Sequence, residues 1–212
     1  MEILDRIREI GIVPVVTISD ADIAVPLAKA LLAGGISCIE ITFRTEEAEE
    51  SIRRIANEVP QMLIAGGTIL THNQLFAAKR AGAMFFVSPG FNAKIVKACN
   101  INHFLHIPGC STPTDMEAAL ESGIKTVKFF PAEQAGGLAY IKACAAPYKD
   151  LCFIPTGGIN VKNLATYIAF DRVVACGGSW MVTKELIDAG NFGEITGLCK
   201  EAVEIVRNVR AG

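Results

Sequence analysis

Short apolar runs, often β-branched, alternate along this chain with stretches whose apolar residues recur at helical spacing. Residues 2–10 form an amphipathic pattern that stops at Gly11, and 12–16 read as the first strand. Ser19-Asp20 then opens a helix over 20–33, which Gly34-Gly35 ends. A second strand at 38–43 precedes a charged helix from Thr45 to Glu58, closed off before Pro60. Further strands are expected at 63–68, 84–88, 103–108, 126–130, 152–156 and 172–176, with helices opening near Thr71, Asn92, Pro113, Leu138 and Asn160. A short helix over 179–187 and a longer one over 192–209 follow the last strand.

Strand starts recur every 19 to 26 residues or roughly so, the interval of repeated βα units. The strands are continuous apolar runs, as in a parallel sheet covered on both faces. Eight units predict an α/β fold, a (β/α)8 TIM barrel preceded by a short N-terminal helix. The rival is an open doubly wound sheet, which wants a glycine-rich turn after its first strand. Here that turn is Thr17-Ile18-Ser19-Asp20, without glycine. No linker or low-complexity stretch divides residues 1–212, so one catalytic domain is expected.

Of the 212 residues, 51% are hydrophobic and 20% charged, enough for one large core. A formal net charge of -2 implies no face for nucleic acid. The N-terminus, of mixed charge, is unlike a signal peptide, and no apolar run is long enough to cross a bilayer, so no membrane partner and a cytoplasmic location are expected. Seven cysteines form no C-x-x-C pair. His103 and His106, read as lying on one strand, would point to opposite faces. No metal site and no cofactor are expected.

In such a barrel, chemistry gathers where the strands end. Lys128 lies between Val127 and Phe129-Phe130. An ammonium buried there without a partner is costly, and an uncharged lysine amine attacks carbonyl carbon to form an imine. A lysine can equally lay its stem on apolar surface with its head in water. Glu40, Thr42 and Arg44 share one face of the second strand. Glu40 suits either proton transfer or a buried ion pair with Arg44 or Lys128. Arg44 suits a carboxylate. Ala65-Gly66-Gly67-Thr68 ends the third strand with small residues and a hydroxyl, a pattern that also fits a tight turn with a threonine cap. The fourth ends Val87-Ser88-Pro89-Gly90, where the proline fits ordinary turn chemistry. Thr156-Gly157-Gly158 and Gly177-Gly178-Ser179 end the last two strands, where loop amides and a helix N-terminus can hold phosphate. Glu133 could touch substrate or simply be solvated, and the solvated reading is taken here.

Together these residues describe an enzyme for a phosphorylated oxo-acid. Lys128 would form the imine, which accepts electrons as a carbon–carbon bond breaks; Glu40 would move protons; Arg44 and Thr68 would hold a carboxylate. Two other readings stay open. One is a sugar-phosphate isomerase or epimerase with Glu40 as base. The other is a non-catalytic sugar-phosphate sensor with Lys128 ion-paired to Glu40.

Gly35 to Arg44 (G-I-S-C-I-E-I-T-F-R) and Gly123 to Gly136 (G-I-K-T-V-K-F-F-P-A-E-Q-A-G) resemble the two signatures of the bacterial 2-dehydro-3-deoxy-phosphogluconate (KDPG) / 4-hydroxy-2-oxoglutarate (KHG) aldolases. The resemblance covers nearly the whole chain. It implies a metal-independent class I aldolase on a (β/α)8 barrel, usually a homotrimer. The reaction it implies cleaves KDPG to pyruvate and glyceraldehyde 3-phosphate, a step of the Entner–Doudoroff pathway. It makes Lys128 the Schiff-base residue and Glu40 the proton shuttle, with Arg44 and Thr68 on the pyruvate-derived carboxylate. Pro89, Phe130 and Thr156 would line the pocket, and Gly157, Gly158, Gly178 and Ser179 would lie at the phosphate. Ala65-Gly66-Gly67-Thr68 stands where many relatives have Gly-Ala-Gly-Thr. A sister group acts on the galactonate epimer, but Thr42-Phe43-Arg44-Thr45 is similar to the gluconate group.

Overall fold

In a computed structural model, which describes residues 2–212, eight parallel strands form a ring. They are β1 (Ile12–Val16), β2 (Cys38–Thr42), β3 (Leu63–Gly67), β4 (Phe85–Val87), β5 (His106–Ile107), β6 (Thr126–Phe129), β7 (Cys152–Pro155) and β8 (Cys176–Gly178). Regular ladders run from β5 back to β1 and on to β8, and β6 pairs with β7. Isolated bridges complete the ring: Gly109 to Lys128 joins β5 to β6, and Phe153 to Val173 with Thr156 to Gly177 joins β7 to β8. The result is the (β/α)8 barrel that the alternating pattern predicts.

Ten helices surround or close it: α1 (Ile3–Ile10), α2 (Ala24–Ala33), α3 (Ala48–Glu58), α4 (His72–Ala81), α5 (Ala93–Ile101), α6 (Pro113–Glu121), α7 (Gly137–Ala145), α8 (Leu164–Ile168), α9 (Lys184–Asp188) and α10 (Phe192–Ala211). Their starts follow from local chemistry. Thr71 and Gln74 satisfy each other's backbone N–H groups at the head of α4, and Thr112 and Asp115 do so for α6. Gly11 ends α1 at φ 75°, a conformation that costs glycine little.

Two apolar clusters follow from the period-two alternation of the strands. Val13, Cys38, Leu63, Ala65, Phe85, Val87, Ile107 and Ile154 fill the barrel, with Ile7 of α1 packed against them as a floor. Ile39, Ile41, Ile64, Phe86, Val127, Phe129 and Phe153 face outward to the helices. At that floor Arg210 of α10 donates to the carbonyls of Arg8, Glu9 (3.2 Å) and Val174 (2.9 Å). All seven cysteines are free thiols. Burial pushes those of Cys99, Cys110 and Cys199 up to about 12, as suits small apolar packing groups. No helix among the described residues is long and apolar enough to cross a membrane.

Several boundaries differ from the pattern. The helix expected over 20–33 is a 3-10 turn, Ala21–Ile23, followed by α2. That expected from Thr45 begins at Ala48, because Thr45 spends its hydroxyl on the carbonyl of Ile18 at 2.5 Å. The fifth strand shrinks to two residues. His103 sits at φ 55° in the turn that ends α5, where Phe104 N–H donates to Cys99 O at 2.9 Å. His103 therefore lies on no strand, and the opposite-face reading of His103 and His106 does not hold. The eighth strand, expected over 172–176, begins at Cys176 and contains Gly177 and Gly178. The segment before it pairs with β7 instead: Val174 N–H donates to Phe153 O at 2.9 Å. The helix expected over 179–187 forms only at its end, as α9, and that from Asn160 only as α8.

Candidate active site

The mouth of the barrel opens into a cavity of about 550 Å³. Lys128 and Phe130 from β6 and its end, Thr156 after β7, and Val15 of β1 with Thr17 just after it wall it. Gly157, Gly158, Gly178 and Ser179 from the last two strand ends also line it, and Arg44 stands at its rim. Lys128 alternates with the outward Val127 and Phe129, so its side chain enters the barrel. There it is buried, with Nζ 5.4 Å from the centre of the Phe130 ring.

Glu40 enters from β2 by the same alternation, between outward Ile39 and Ile41. Its Oε1 accepts from Lys128 Nζ at 3.2 Å, and both side chains are less than 8% exposed. The lysine in the apolar run thus does have a partner, and the ammonium does not snorkel to water. Gly67 makes the room. A Cβ there would lie 2.4 Å from both Cγ and Oε1 of Glu40. Arg44 is exposed and makes no ion pair or side-chain hydrogen bond among the described residues, which leaves its guanidinium free for an anion.

The two Gly-Gly pairs are unlike. Gly157 and Gly158 turn at φ 100° and 80°, in the left-handed region. The side chains of Asn160 and Asn163 both donate to Gly158 O at 3.1 Å, which fixes that turn. Glu133 packs against it, its Cγ 2.6 Å from where a Cβ of Gly158 would stand. The Glu133 carboxylate also accepts from the buried Tyr167 hydroxyl. Glu133 is exposed, as expected, and it also ties α8 to this turn. Gly177 and Gly178, by contrast, are strand residues. A Cβ on Gly177 would meet Thr156 Oγ1 at 2.2 Å, and one on Gly178 would meet the Trp180 ring at 1.9 Å.

Of the residues singled out from the sequence, Arg44, Lys128, Phe130, Thr156, Gly157, Gly158, Gly178 and Ser179 share the cavity wall, and Glu40 reaches it through Lys128. Thr68 and Pro89 are not part of that wall. Thr68 follows Gly67 at φ 56°, a rare conformation for a β-branched residue and one that gathers at functional sites. Pro89 packs its carbonyl on Gly109, which has no side chain to obstruct it. Sequence reasoning passed over Thr17, Trp180, Thr183 and Lys184, all on the wall. Thr17 had a signal available, since a hydroxyl two residues after Val15 faces inward at a strand end. Trp180 and Lys184 lie beyond the last strand, where periodicity says nothing about direction. Among the described residues no group of three or more His, Cys, Asp or Glu gathers as for a metal.

A buried lysine touching a carboxylate, under a mouth with a free arginine and a fixed glycine turn, suits imine chemistry on an anionic carbonyl compound. Known proteins agree. Residues 3–198 match the family model described as KDPG and KHG aldolase. The 2-dehydro-3-deoxy-phosphogluconate aldolase of Treponema pallidum is 49% identical over 205 residues, 97% of this chain and 96% of that protein. The KDPG aldolase of Legionella pneumophila, solved with pyruvate captured as a covalent carbinolamine intermediate, superposes with a TM-score of 0.90 at 36% identity, covering 94% of this chain and 97% of that one. The 2-keto-3-deoxy-6-phosphogluconate aldolase of Zymomonas mobilis, solved with 3-phosphoglycerate, gives 0.89 at 37% identity over 95% of both chains. Matched by that family model over residues 3–198 and sharing its barrel along almost the full length, this chain belongs to the KDPG and KHG aldolase family.

Proposed function

We propose that the chain is a class I aldolase that cleaves 2-dehydro-3-deoxy-6-phosphogluconate to pyruvate and glyceraldehyde 3-phosphate, and 4-hydroxy-2-oxoglutarate to pyruvate and glyoxylate. The observation that carries this reading is the buried 3.2 Å contact between Lys128 Nζ and Glu40 Oε1 at the base of the cavity. One proton moved along that contact leaves a neutral amine beside a neutral acid. The amine attacks C2 of the substrate; the resulting carbinolamine takes a proton on its oxygen and loses water to give the protonated imine. The C4 hydroxyl then gives up its proton as the C3–C4 bond breaks. The bonding pair moves into the imine, leaving an enamine and a free aldehyde. A proton delivered to C3 and hydrolysis of the imine release pyruvate and restore the amine. Glu40 is the carboxyl group placed to carry these protons.

Arg44 and Thr68 receive the carboxylate next to C2, and Pro89 shapes that side from outside the wall. Phe130 and Thr156 flank the reacting carbons. Gly157, Gly158, Gly178 and Ser179 receive the phosphate, with the backbone N–H groups of the turn as donors. The whole chain acts as one catalytic domain, works as a homotrimer and resides in the cytoplasm. Seven free thiols suit a reducing compartment, and light scattering of the purified protein tests the trimer.

Borohydride reduction in the presence of pyruvate tests the mechanism. A stable adduct on Lys128 alone is expected, and Lys128→Ala should lose both the adduct and at least about 1,000-fold in turnover. An active Lys128→Ala protein, or an adduct elsewhere, would sink the proposal. The isomerase and sensor readings predict no adduct.

A further inference from the structure

The hydroxyl of Thr17 has its polarity fixed by its neighbours. Thr42 Oγ1 donates its one proton to the Val16 carbonyl at 2.9 Å, and a carbonyl only accepts. The 2.9 Å contact between the two threonine hydroxyls is therefore donated by Thr17. Thr17 lines the cavity with that proton already spent, so it offers lone pairs alone. Such an oxygen attracts an O–H group and repels carboxylate or phosphate oxygen. Arg44, Lys184 and the turn at Gly157-Gly158 supply donors elsewhere on the wall, which also carries the Glu185 carboxylate.

Register places this acceptor. Val15 pairs with Glu40, so the backbone of Thr17 stands one pleat, about 6–7 Å, further toward the mouth than that of Glu40. That is the level of the middle carbons of a substrate bonded to Nζ at C2. Two oxygens compete for it. The C4 oxygen must surrender its proton during cleavage, and a threonine oxygen whose own proton is engaged is far too weak a base to take it. The C5 oxygen of the six-carbon acid keeps its proton throughout and matches an acceptor in both substrate and product. In 4-hydroxy-2-oxoglutarate, C5 is instead a carboxylate, which Thr17 repels.

We propose that Thr17 is a specificity residue that accepts a hydrogen bond from the C5 hydroxyl of a six-carbon 2-oxo acid and disfavours the C5 carboxylate of the five-carbon one. This rests on the aldolase reading above and adds a substrate-reading group to it.

The test compares Thr17→Val and Thr17→Ser with the parent protein on both acids, with borohydride trapping of pyruvate on Lys128 as an internal control that involves no C5 group. In Thr17→Val, kcat/KM for the phosphorylated six-carbon acid should fall about tenfold, the effect of one lost hydrogen bond. For 4-hydroxy-2-oxoglutarate it should hold or rise, trapping should be unchanged, and Thr17→Ser should keep the parent ratio. An unchanged ratio, or an equal fall on both acids, overturns the assignment while leaving the aldolase intact. A parent protein that neither cleaves either acid nor traps pyruvate overturns both.

Discussion

Gly67 is glycine because Glu40 fills the volume beside it. A methyl there would meet Cγ and Oε1, the movable part of the glutamate side chain, so the change should displace the carboxylate and leave the barrel standing. Gly67→Ala is expected to lower kcat by about 10- to 100-fold, as for a catalytic group moved by about 1 Å, with a melting temperature within a few degrees of the parent. Steady-state kinetics beside a thermal melt would show it; unchanged kcat would mean Glu40 is not held by this contact. At this scale the site was largely legible. The alternation of β2 put Glu40, Thr42 and Arg44 on one face, and the apolar neighbours of Lys128 marked it out. The acceptor state of Thr17 was not legible, because it depends on Thr42, 25 residues away in sequence, and on a carbonyl direction no pattern encodes.

Between elements, β4 and β5 share a buried polar contact. His106 faces outward from β5, with Nε2 2.9 Å from Ser88 Oγ. Ser88 spends its own proton on Ile69 O at 2.7 Å, so Nε2 carries the imidazole hydrogen and Nδ1 is buried without a partner. Burial holds this imidazole down to about 4, below its ordinary value of 6.5. The unfolded chain then binds a proton that the native one refuses, so stability is complete above about pH 6.5 and falls as pH drops toward 4. At pH 4.5 the loss amounts to about 2–3 kcal/mol. His106→Leu should shrink the drop in urea-unfolding free energy between pH 7 and 4.5 by that amount; an unchanged drop would show that other groups govern acid unfolding. His106 and its neighbours also show where pattern reading loses precision. The apolar run over 103–108 looked like a strand, but a left-handed His103 takes half of it for a helix cap. Likewise the last strand was expected to stop at Cys176, yet Gly177 and Gly178 are strand residues, with Thr156 and Trp180 filling the space a Cβ would take.

The whole molecule is a ring whose floor is secured from outside. α1 plugs it with Ile7, and Arg210 at the far end of α10 binds carbonyls of α1 and of the segment before β8. Burial lowers the pKa of that guanidinium, while the carbonyls it binds answer its charge. Arg210→Ala should cost about 2 kcal/mol, since charge-assisted bonds are lost at once, and should leave kcat unchanged; chemical denaturation and kinetics together would show both. The count of eight strands was readable from sequence because every unit repeats one rhythm. The closure was not, because its last seam is made of single bridges. The residues leading into β8 lie on β7, through Val173, before Cys176 takes up β1. That exchange of partners has a consequence for how the protein comes into being. A chain emerging from the ribosome carries Glu40 and then Lys128 before β8, yet its first strand has no second neighbour until residues 176–178 appear. Until then the growing polypeptide is an open half-pipe, and the Lys128–Glu40 pair has no finished mouth above it. Activity is thus a property that cannot precede the synthesis of β8.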